Sequence, residues 1–110
     1  MDGNTQLLIA SSLLFVISLI FRIFPPKNIN SFYGYRTNNS MKDEESWKYG
    51  NRISSTIMVL GFGTLVIQKV LFIVIFPNMG LLNAILFLGI TFITLILTFL
   101  ITESYLRSRS

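Results

Sequence analysis

The stretch LLNAILFLGITFITLILTFLI, Leu81 to Ile101, contains no charged residue and no proline. At about 1.5 Å per residue it forms a helix of about 30 Å, which matches the hydrocarbon thickness of a bilayer. Working outward, the uncharged run extends from Val70 through Thr102, and similar runs occupy Gly3 to Phe21 and Ile53 to Gln68. The middle run is short for a crossing, but a helix continuing through Lys69 to Phe76 is long enough. The expectation is an all-α membrane protein with one membrane domain over residues 1–110. It has three transmembrane helices, at about 6–24, 53–76 and 81–101, and a loop over 25–52 that carries a short polar helix.

Composition supports lipid as the solvent. Of the 110 residues, 52% are hydrophobic and 13% charged, too few to coat a water-soluble fold of this size. No Lys or Arg precedes the first apolar run, and Arg22, Pro25 and Pro26 follow it in place of a small-residue cleavage site, so this segment is expected to stay as a helix. Cysteine and histidine are both absent. That removes disulfides, thiolate metal sites, a lipoprotein anchor and the commonest general base, so no catalytic residue, metal or cofactor is expected.

The net charge of +4 is distributed by topology. With three crossings, Arg22, Lys27, Arg36, Lys42, Lys48, Arg52, Arg107 and Arg109 lie on one side, and Lys69 is the one basic residue left for the other. Retention of Lys and Arg in the cytoplasm then sets the N-terminus outside and the C-terminus inside. This placement also argues against nucleic acid as a partner and leaves membrane lipids as the first one.

Pro25-Pro26 ends the first helix, and the Asn- and Ser-rich segment to Asn39 reads as a loop. A new helix is expected from an N-cap at Ser40, with Asp43 closing a capping box and Glu44 spaced for an i,i+4 pair with Lys48. Whether it runs straight into the second span or bends at Gly50-Asn51 is open. Trp47 and Tyr49 suit the headgroup region.

Polar stripes recur on all three spans: Asn4, Ser11, Ser18 and Arg22; Ser54, Gly61, Thr64 and Gln68; Thr91, Thr94, Thr98 and Thr102. Such stripes serve close helix packing, within one bundle or in a homo-oligomer, or they line a polar path in which Thr94 and Thr98 would matter. Lys69 is close enough to the outer helix end to snorkel. Facing inward, it would lack an acidic partner at its depth and would call for an external anion. Glu103 and Arg107 read as a solvated surface pair.

The loop carries the remaining information. Pro26 and Asn28, then Gly34-Tyr35-Arg36-Thr37, Ser40-Met41-Lys42, and Trp47 with Gly50-Asn51 resemble the SdpI family, in particular its short members of the YfhL type. The resemblance implies a bacterial inner-membrane protein that protects against a secreted toxic peptide (a bacteriocin), and the lack of an activated nucleophile and base makes binding, not hydrolysis, the expected means. Longer members also hold a cytosolic regulator at the membrane through an extra N-terminal membrane domain, which is not expected here, so that role is expected less than immunity. The binding residues expected from the motif are Asn28, Gly34, Tyr35, Arg36, Thr37, Trp47 and Asn51. Physically, Gly34 permits a turn, Arg36 offers a fork for phosphate or for Glu44 or Glu45, and Asn28 and Asn51 can close the loop by bonding backbone. The same residues also suit a compact structural cap. A transport or efflux component is the alternative function, and a lipid-modifying enzyme the weakest.

Overall fold

The structure, a computed structural model, describes residues 2–109. Asp2 accepts the Thr5 amide at 2.7 Å and so caps α1, Gly3–Ile23. The helix stops at Pro25-Pro26, as expected. After the loop, Thr37 and Ser40 form a reciprocal capping box around the four-residue α2, Asn38–Met41. Asp43 then caps α3, Glu44–Val74, by accepting the Ser46 amide at 2.7 Å. That bond holds its carboxyl below the ordinary Asp range. The expected start at Ser40 is therefore corrected: Ser40 is the third residue of α2, and Asp43 begins a separate helix. From Asp43 onward α3 runs through Gly50-Asn51 without interruption. A turn at Pro77-Asn78 leads into α4, Gly80–Ser108.

All three long helices are apolar and long enough to cross a membrane. α3 packs along both α1 and α4, whereas α1 and α4 meet each other less extensively. Residues are sorted in the reverse of a water-soluble bundle. Leu13, Ile17, Leu81, Phe92 and Ile93 face outward, while Ser11, Ser18, Ser54, Asn83, Thr94, Thr98 and Thr102 are buried. Lipid tails are as apolar as leucine, so helices gain from close approach and polar contacts rather than from hiding apolar surface. The stripes read from sequence are thus largely interior. Arg22 and Thr64 are the exceptions and are exposed.

Gly61 marks the closest approach of α3 to α4. A Cβ there would lie 2.4 Å from Thr94 Cγ2 and 3.0 Å from its Cβ. Gly61→Ala is expected to cost about 1–3 kcal/mol from overpacking, exceeding the roughly 1 kcal/mol gained in helix propensity. The loss should be visible as a lower melting temperature in detergent. Adding Thr94→Ala should restore most of it, and failure of that rescue would place the strain elsewhere.

Candidate functional site

The loop folds as a cap over the ends of α3 and α4, and Gly34 is its tightest point. Its φ of +110° lies where side chains are strained, and a Cβ would sit 2.5 Å from Asn51 Oδ1 and 2.6 Å from Pro26 Cγ. This turn presents the Tyr35 amide to Asn51 Oδ1 at 2.6 Å, while Asn51 Nδ2 donates to the Trp47 carbonyl at 2.8 Å. The Trp47 indole donates to the Pro26 carbonyl at 2.9 Å. One turn of α3 therefore fixes both arms of the loop.

Glu103 fixes the loop from the other side. Its carboxylate accepts hydrogen bonds from the Tyr35 hydroxyl at 2.7 Å, from the Thr37 hydroxyl, and from Asn39 Nδ2 at 2.6 Å. Burial, followed by the bond to Glu103, raises the pKa of the Tyr35 phenol, which keeps it a donor. Ser40 Oγ donates to the Tyr35 carbonyl at 2.9 Å, tying α2 to the same turn. The far end of α4 closes against α3 through an Arg109–Glu45 ion pair at 3.0 Å.

Several expectations change here. Glu103 is 5% exposed and holds the cap together; it is not part of a solvated pair with Arg107. Trp47 is 1% exposed, so it is an interior ring and not a headgroup anchor. Arg36 is exposed and donates to the Ser31 carbonyl, with no ion pair to Glu44 or Glu45 among the described residues. Glu44 and Lys48 likewise form no ion pair. Asn28 is exposed and lends its backbone carbonyl to Asn30, leaving loop closure to Asn51. Of the motif residues, Gly34, Tyr35, Thr37, Trp47 and Asn51 come together, and Asn28 and Arg36 remain outside. Glu103 was missed, although one more turn of the threonine stripe, to buried Leu106, would have enclosed it.

Gly34→Ala should cost the cap about 1–3 kcal/mol through backbone strain alone. Limited proteolysis of the loop should then accelerate while helix content by circular dichroism stays unchanged; a resistant loop would contradict the geometry.

The sequence profile of the SdpI/YfhL protein family matches residues 27–103, which include every part of this cap from Lys27 to Glu103. The chain belongs to the SdpI/YfhL family. A relative from Bacillus subtilis (strain 168), described as the uncharacterized protein YfhL, is 35% identical over 100 residues, covering 91% of this chain and 84% of the relative. No solved structure matches. The SdpI/YfhL motif is thus the sequence of a cap built on α3 and anchored by α4.

Beneath this family motif a cleft of about 370 Å³ opens between α1 and α4. Ile17, Phe21, Met58, Leu95 and Phe99 make it apolar, Ser54 and Thr98 add hydroxyls, and Tyr33-Gly34-Tyr35 closes its end. At the opposite end of the bundle, Lys69 is fully buried, which corrects the snorkelling expectation. Its ammonium donates to Asn83 Oδ1 at 2.7 Å, to the Asn83 carbonyl at 3.0 Å and to Gln68 Oε1 at 3.0 Å. Asn83 Nδ2 donates to Asn4 Oδ1 at 2.8 Å, and Asn4 Nδ2 to the Pro77 carbonyl at 3.0 Å. Carboxamides thus supply what the absent acid would have supplied, joining all three spans. Thr94 and Thr98 do not reach this cluster: Thr94 meets Gly61, and the Thr98 hydroxyl donates to the Thr94 carbonyl at 2.7 Å.

Proposed function

We propose that this chain is an immunity-type protein of the bacterial cell membrane that holds a membrane-active toxic peptide within the bilayer, without catalysis. In this reading the N-terminus is outside and the loop and C-terminus are cytoplasmic, following the Lys and Arg asymmetry. The observation that carries it is the lipid-facing cleft closed by the motif turn Tyr33-Gly34-Tyr35. A peptide already in lipid gains little from apolar contact alone, so an interceptor needs shape and polar contacts. The cleft offers both, because the Thr98 hydroxyl at its wall donates to its own helix backbone and keeps acceptor capacity. The transport alternative has less support, since Thr94 is packed against Gly61 and lines no path.

Cells lacking the gene should be killed by a secreted membrane-active peptide that cells carrying it survive. Leu95→Trp, which fills the cleft, should lower the tolerated peptide concentration about tenfold, equivalent to about 1.4 kcal/mol of binding. Its accumulation should be normal, and Ile93→Trp, on the exposed face of α4 opposite the cleft, should protect like the parent. Equal survival with and without the gene across candidate peptides would remove this reading.

A further inference from the structure

A second cleft, of about 500 Å³, lies on the other side of the Asn51 wall, where the loop leaves α1. Unlike the cleft beneath the motif, it has charged residues in its lining. Along α3, Glu44, Lys48, Arg52 and Ser55 follow at spacings of four, four and three, so they share one helix face. Arg22, in the last turn of α1, and Lys27, carried around by Pro25-Pro26, line the opposing side. Four cations and one carboxylate therefore surround a single cavity. The ion pair found is Arg109–Glu45, so no carboxylate of the described residues lies within bridging distance of these four cations.

Gathering four cations around a single carboxylate leaves an excess of like charge, and Lys48 and Arg52 repel each other at i,i+4. An anion in the cavity would offset this. Its level in the membrane identifies the class. Arg22 sits where the apolar length of α1 ends, and its neighbours Ile20, Ile23 and Phe24 are exposed, Phe24 by 68%. A phosphate carrying acyl chains can place its charge among Arg22, Lys27, Lys48 and Arg52 while its tails lie along those apolar side chains. Glu44 then faces the distal part of the headgroup, where a hydroxyl-bearing group can donate to it.

We propose that this cleft binds the phosphate of an anionic glycerophospholipid with a hydroxylated headgroup, from the leaflet at the loop end of the bundle. The site is separate from the peptide cleft and does not depend on the immunity reading.

The test is native mass spectrometry of the detergent-solubilised chain, titrated with phosphatidylglycerol, phosphatidylcholine or inorganic phosphate. Phosphatidylglycerol should bind about tenfold more tightly than phosphatidylcholine, the scale expected for a few basic residues meeting anionic lipid. Inorganic phosphate should not compete. R22Q/R52Q, and separately K27Q/K48Q, should each lose that preference with helix content retained, whereas R107Q should keep it. Equal retention of the two lipids, or an unchanged preference in both double variants, would overturn the proposal. Displacement by inorganic phosphate would overturn the lipid assignment in favour of a free anion.

Discussion

Asn83→Leu is expected to lower the stability of the bundle by about 3 kcal/mol, because it strips a charged donor and a neutral acceptor of their partner together. Lys69 would keep the Asn83 carbonyl and Gln68 but lose its shortest bond, to Asn83 Oδ1, while Asn4 Oδ1 would lose its donor. There is no route to water for a side chain with no exposed surface. Lys69→Met alone should cost less, since it removes the charge that needs solvation. The double variant should recover much of the loss, because an apolar pair replaces a polar pair at little net cost. Unfolding in denaturing detergent for the four members of this cycle measures the coupling, expected at about 1.5 kcal/mol or more. Additive losses would mean that the two side chains do not act together.

The second large effect belongs to the other end of the molecule. Glu103→Leu leaves the Tyr35 hydroxyl, the Thr37 hydroxyl and Asn39 Nδ2 without their acceptor. Each bond to a carboxylate contributes about 1.5–3 kcal/mol, but the freed donors can reach water once the loop lifts, so a net loss of about 3 kcal/mol is expected. The loss is local. Proteolysis between Lys27 and Lys42 should accelerate by about a hundredfold, in proportion to the population of the opened cap. The three spans should keep their helix content, because none of them needs the loop to satisfy its backbone. Unchanged protease resistance would contradict the assignment of Glu103 as the anchor.

The spans, the loop and the turn near Pro77 were legible because long uncharged runs leave few alternatives in lipid. Rotation about the helix axes was legible where small polar residues repeat, as at Ser11 and Ser18 or Thr94 and Thr98. It was misread at Lys69, which turns into the bundle and not toward the membrane edge. Lys69 shares the buried stripe of Phe62, Leu65 and Phe72, and that spacing outweighed the preference of a cation for the membrane edge. The capping error had a different source. Thr37, Ser40 and Asp43 are all acceptable N-caps spaced three apart, and local propensity cannot choose among them. The choice came from Glu103, 66 residues away in sequence from Thr37. The same long-range contact explains why the motif was recognisable while its anchoring partner was not.

The lengths of the helices have an uneven consequence. At about 1.5 Å per residue, α1 spans about 31 Å, whereas α3 and α4 reach about 46 and 43 Å. All three start or stop near the same level at the Pro77 turn, where Asn4 meets the Pro77 carbonyl, so the surplus length emerges from one face alone. A reagent that cannot cross the membrane would thus find a substantial stump on one surface and an almost flush one on the other.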